Sequence, residues 1–138
     1  MHTIRKTIHM CYGHRLMDYD GKCAHPHGHN GVVEVELAAK DLDRLGMVCD
    51  FTEVKDRIKD FIDQELDHRM LLREDDPLVG ALEGIGEKPF IMKENPTAEN
   101  IARLIFLEAK SRGLPVTAVR IWETHTSLAE YRESPSGC

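Results

Sequence analysis

The sequence predicts an α+β domain in which hairpin-linked antiparallel strands carry two helices. Three observations predict it. Residues 27–38, HGHNGVVEVELA, alternate with period two: Val33, Val35 and Leu37 share one face, Val32, Glu34 and Glu36 the other. That is the pattern of a half-buried strand. Residues 116–124, VTAVRIWET, alternate in the same way. Between them, apolar residues recur at helical spacing, first as Val54, Ile58, Phe61, Ile62 and Leu66, then as Ile101, Leu104, Ile105 and Ala109.

Taken in order, residues 3–11 carry β-branched side chains and read as a first strand. Residues 12–26 hold two glycines, a DYDGK turn and a proline, and read as a loop. The strand at 27–38 follows, then a DLDRLG turn and a short return strand, MVCDF. Asp50, with Glu53 three residues on, has the form of a capping box and opens the first helix. The chain leaves that helix at LDHRML, passes a turn-rich stretch, DDPLVGALEGIGEKP, and makes a short strand, FIM. Pro96–Thr97 opens the second helix and Gly113 is its C-cap. VTAVRIWET and LAEYRE close the chain as two strands. Two helices cover one face of such a sheet, and its edges need partners, which oligomerisation would supply.

Length and composition bound the rest. The 138 residues form one domain, 1–138, without repeat, linker or low-complexity segment. With 41% hydrophobic and 30% charged residues the chain is a folded soluble protein. Its net charge of −6 argues against a nucleic-acid partner, which calls for a basic face, but leaves room for a local phosphate pocket. No apolar run approaches the ~20 residues that cross a bilayer, and the N-terminus lacks a signal-peptide core. Cys11, Cys23, Cys49 and Cys138 form no CxxC pair and read as thiols, hence a reducing, cytoplasmic setting. Cys11 and Cys49 read as small strand hydrophobes and Cys138 as a terminal thiol without a task. Arg15 and Lys22 read as solvated charges.

Three of eight histidines cluster in CAHPHGHN. On an extended segment His27 and His29 point to the same face and can reach one ion. Gly28 between them permits close approach. His14, in GHRL at the end of the first strand, is the best third ligand. Three neutral imidazoles leave a coordination position open, the catalytic pattern. Two alternatives stay open: solvent-facing histidines in a turn, or a closed structural site with Cys23, four residues before His27, as fourth ligand.

GHRL, GKCAHPHGHN, CDF, LDHRML, NPTAEN and WET occur in the order and spacing of one family, over nearly the whole chain. The sequence thereby resembles the 6-pyruvoyltetrahydropterin synthase/6-carboxytetrahydropterin synthase family. The resemblance implies the tunnelling fold, an antiparallel four-stranded sheet with two helices on one face. Trimers of it close into a barrel, two trimers stack into a homohexamer, and active sites lie at subunit interfaces. It implies Zn2+ on His14, His27 and His29, with Cys23 as general base. His68 would be a second proton-transfer group oriented by Asp67. Glu123 would anchor the pterin ring, and Thr97 and Glu99 would complete the pterin pocket. The substrate implied is 7,8-dihydroneopterin triphosphate.

Two branches of that family differ beside the cysteine. The short CxxxHGH spacing, here from Cys23 to His29, resembles the carboxy branch, a lyase type serving queuosine and other deazapurine biosynthesis. The pyruvoyl branch commonly has a longer spacing. In one departure, Met10, Cys11, Tyr12 and Gly13 stand where the family often has Phe-x-Ala-Ala or Phe-Ser-Ala-Ser, which changes the shape of the pocket beside the zinc. A non-catalytic pterin- or metal-binding module is the rival reading. Retention of Cys23, Asp67, His68 and Glu123 together argues against it.

Overall fold

In the computed structural model, which describes residues 1–134, one sheet of six strands organises the chain. Cys138 lies outside the described residues. β1 (His2–His14) and β2 (His27–Ala39) form an antiparallel pair in unbroken register, from His2 opposite Ala39 to His14 opposite His27. β5 (Val116–Thr124) adds antiparallel to β2, and β6 (Ser127–Arg132) to β5. These four strands are the expected antiparallel sheet. On the other side of β1, two short strands extend it in parallel: β3 (Arg69–Arg73) beside residues 12–14, then β4 (Phe90–Met92). The order is β4-β3-β1-β2-β5-β6.

Alternation sorts the strand residues as anticipated. Ile8, Met10, Tyr12, Val33, Val35, Leu37, Val119 and Ile121 face the helices and are buried. Helix α1, residues 51–66, is α-helical at Phe51–Val54 and takes wider π-type turns at Lys55–Lys59 and Ile62–Leu66. It still buries Val54, Ile58, Ile62 and Leu66. Helix α3 (Ala98–Ser111) packs on β5 and β6 through Ile101, Ala102, Ile105 and Ala109. It begins at an N-cap, Thr97 Oγ1 accepting from Asn100 N at 3.2 Å, and Gly113 just beyond it takes φ 81°. The opposite face of the sheet carries an ionic row, Arg120 donating to Glu34 and Glu36 at 2.8 Å each.

Four expectations are corrected. MVCDF is not a strand, because Asp43 Oδ1 accepts from Leu45 N and Met47 N and folds the segment into a loop. Asp50 then caps α1 through Thr52 N, but Glu53 does not close a capping box; its carboxylate takes the Cys49 thiol and Arg57 instead. The turn-rich stretch contains helix α2 (Pro77–Gly84), and LDHRML runs into β3. Parallel neighbours need a crossover, and α2 is the crossover between β3 and β4. Cys11 and Cys49 are also not strand hydrophobes: Cys11 is exposed with its thiol on Asn30 Oδ1 at 3.0 Å, and Cys49 lies in the loop.

Candidate metal centre and active site

The β1–β2 ladder ends at the pairs Tyr12–His29 and His14–His27. Period two puts all four side chains on the helix-covered face, at the open end of the row that buries Ile8 and Met10. His14 Nδ1 lies 2.6 Å from the Pro96 carbonyl, and His27 Nδ1 2.7 Å from the His25 carbonyl. A carbonyl only accepts, so each Nδ1 carries the proton and each Nε2 presents a lone pair. His29 Nε2 stands 3.1 Å from His14 Nε2, and one ligand atom from each of the three rings lies within 4.8 Å of the others. Burial pushes the His14 imidazole below its ordinary pKa, against the opposing pull of Pro96 and Glu123, which keeps it neutral and able to ligate.

This donor set fits a divalent metal. Nitrogens ligating zinc at about 2.0–2.1 Å in a tetrahedron stand roughly 3.3 Å apart, close to the His14–His29 separation. Imidazole donors suit zinc, iron, nickel or copper. Among the described residues the group holds no thiolate: Cys23 sits in a single turn, Lys22–Ala24, half-buried, its carbonyl accepting from Leu16 N. Three imidazole donors without a thiolate match the donor set of catalytic zinc sites better than that of closed structural ones.

Glu123 comes to the same place from β5. It continues the row of Val119 and Ile121, and its carboxylate oxygens lie 3.7 Å from His14 Nε2 and 4.0 Å from His29 Nε2. The Tyr12 hydroxyl donates to Glu123 Oε1 at 3.3 Å. Burial, with Glu123 beside it, pushes the Tyr12 phenol well above its ordinary pKa, so it stays a donor.

Asp67 and His68 stand at the junction of α1 and β3. Asp67 Oδ1 accepts from Cys11 N and Oδ2 from His68 Nδ1, both at 2.8 Å. His68 has φ 60°, left-handed for a residue with a Cβ, a conformation that costs roughly 1–2 kcal/mol. A broad cavity of about 1030 Å³ is lined by this pair together with His27, His29, Arg69 and Lys88. Cys23 does not line it and is not part of the three-histidine group. Thr97 spends its hydroxyl on the α3 cap, while Glu99 is exposed in the first turn. Their segment nonetheless borders the centre through the Pro96 carbonyl. Tyr12 and the Pro96 carbonyl were not among the expected site residues: the first strand was expected to end at residue 11, whereas β1 runs on to His14 and so puts Tyr12 on the face of His14.

The fold and the three histidines define a mixed-sheet α+β protein with a candidate metal centre. The chain belongs to the 6-pyruvoyl tetrahydropterin synthase family, whose sequence model matches residues 3–134. It is 39% identical over 125 residues to the 6-carboxy-5,6,7,8-tetrahydropterin synthase of Rickettsia conorii, covering 86% of this chain and 91% of that one. It is 34% identical to the enzyme of the same name from Haemophilus influenzae, over 96% and 100% of the two chains. Among solved structures, an uncharacterized protein from Wolinella succinogenes superposes with TM-score 0.77 at 30% identity, over 96% and 98%. The 6-pyruvoyl tetrahydropterin synthase of Caenorhabditis elegans superposes with TM-score 0.70 at 26% identity, over 96% and 95%.

Proposed function

We propose that this chain is a zinc-dependent 6-carboxy-5,6,7,8-tetrahydropterin synthase, converting 7,8-dihydroneopterin triphosphate and water to 6-carboxytetrahydropterin, acetaldehyde and triphosphate. The observation that carries the reading is the convergence of three histidines with Glu123 in a chain resembling synthases of that name end to end. The short Cys23–His29 spacing favours the carboxy over the pyruvoyl product.

His14, His27 and His29 would hold the zinc ion, which would supply Lewis-acid chemistry there. Glu123 accepts from the amino and ring N–H groups of the pterin and sets its depth, with Thr97 and Glu99 completing the pocket. Cys23, as thiolate, takes a proton from the dihydroxylated side chain. His68 is the second proton carrier: Asp67 holds its Nδ1–H at 2.8 Å, leaving Nε2 to exchange protons with substrate. Assembly of chains into a homohexamer, two barrel-forming trimers, completes the site around the metal centre and the Asp67–His68 pair, which share one cavity, and covers the edges left at β4 and β6. The three described cysteines are free thiols, as the cytoplasm keeps them, and the product feeds queuosine-type deazapurine synthesis.

The test incubates zinc-loaded protein with 7,8-dihydroneopterin triphosphate and identifies products by mass spectrometry, with Cys23→Ala in parallel. 6-Carboxytetrahydropterin and acetaldehyde, lost in the variant, are expected. A pyruvoyl product would move the chain to the other branch, and bound zinc without turnover would make it a binding module.

A further inference from the structure

We propose that Tyr12 is a positioning residue for substrate: its hydroxyl fixes the Glu123 carboxylate in the orientation that receives the pterin. The inference rests on the reading of Glu123 as pterin anchor. Tyr12 is 3% exposed, in a row where Ile8, Met10 and His14 are likewise buried. A phenylalanine would fill nearly the same volume. The hydroxyl is the added chemistry, and a buried phenol needs a partner. That partner is Glu123 Oε1, at 3.3 Å.

Glu123 needs the restraint. It sits at the end of β5, where the register with β6 slips between Trp122 and Thr124, and its side chain is 28% exposed. Its other near neighbours are Nε2 of His14 and of His29, the atoms that face the metal position. A free carboxylate there is drawn to any bound cation and away from substrate. Tyr12 is itself held. Its ring meets His14 edge-on at 5.2 Å and His29 at 5.6 Å between centroids. On the β2 side it occupies the space left by Gly31, where an added Cβ would stand 2.8 Å from Tyr12 Cε1. Gly31 seats the ring, the ring aims the hydroxyl, and the hydroxyl sets the carboxylate.

The experiment titrates zinc-loaded protein with neopterin, a fluorescent pterin without triphosphate, and measures turnover alongside. Tyr12→Phe keeps the ring and is expected to weaken neopterin binding about tenfold with zinc stoichiometry and thermal midpoint unchanged. KM rises by a similar factor while kcat changes less. Glu123→Gln weakens binding on its own, and adding Tyr12→Phe to it costs about twofold at most, because a neutral amide is a poorer acceptor than a carboxylate. Neopterin affinity unchanged in Tyr12→Phe overturns the proposal. So does a tenfold loss that persists in Glu123→Gln. Glu123-dependent neopterin binding without turnover of dihydroneopterin triphosphate would sink the proposed reaction and leave Tyr12 its role. No neopterin binding by the unaltered chain would sink both.

Discussion

Glu123 stands between two employers, a metal and a substrate, and distance decides between them. At 3.7 and 4.0 Å from the two Nε2 atoms it makes no hydrogen bond to either, and Tyr12 holds one of its oxygens. The ligand set is complete as a catalytic centre without it. Glu123→Ala is therefore expected to retain the metal, read as zinc per chain by elemental analysis. Pterin affinity should fall by about a hundredfold, since hydrogen bonds to a charged acceptor contribute about 1.5–3 kcal/mol each. Loss of zinc in that variant would make Glu123 a ligand, and unchanged pterin affinity would remove it from the site. The glutamate was legible in the sequence through the WET motif that carries the family resemblance. Its tyrosine partner was not, because the hydrogen bond joins residues 111 positions apart.

At the scale of elements, the metal strand is fastened to the crossover helix by Arg15 and Asp76. Asp76 caps α2 through Leu78 N at 2.8 Å and is wholly buried at its side chain, where Arg15, the residue after His14, donates to both of its oxygens. Arg15 is thus a partly buried anchor, not the solvated charge its sequence context suggested. The guanidinium holds the Asp76 carboxyl below the usual carboxylate range. A carboxylate with a depressed folded pKa contributes stability above its unfolded pKa, about 3.9, and loses that contribution as pH falls through the folded value. Asp76→Ala is expected to destabilise by about 3–5 kcal/mol at pH 7, through a stranded arginine and a lost cap. Urea midpoints should show the gap to the unaltered protein narrowing below about pH 4, and a gap independent of pH would refute the ion-pair account. The same corner shows where the sequence was opaque. The four antiparallel strands and two long helices announced themselves by period. In α2, by contrast, Pro77, Gly80 and Gly84 look like turn residues, and the informative signal was Asp76 followed by proline at the first helical position. β4 is the short strand expected at FIM, but β3, at five residues, is too short for a period to declare itself, and the parallel pairing of both depends on tertiary contacts.

For the molecule as a whole, the question is whether the metal builds the fold or is held by it. All three ligands lie on β1 and β2, whose pairing runs from His2 opposite Ala39 through to the ligands at the far end. The core beneath α1 and α3, from Ile8 to Ile121, closes without any of them except His14. Backbone carbonyls at Pro96 and His25 orient His14 and His27 through bonds that the protein itself supplies. The strand pairing and the apolar core draw mostly on residues other than these histidines. Binding to the folded state alone adds RT ln(1 + [L]/Kd), about 4 kcal/mol at a thousandfold excess over Kd. Chelation is therefore expected to stop turnover and lower the thermal midpoint by some degrees, while far-ultraviolet circular dichroism and a single cooperative transition persist. Added zinc should restore both activity and midpoint. A chain that loses its cooperative transition on chelation would instead owe its sheet to the ion, as a structural site does, and the open coordination position at the end of β1 and β2 would have no catalytic meaning.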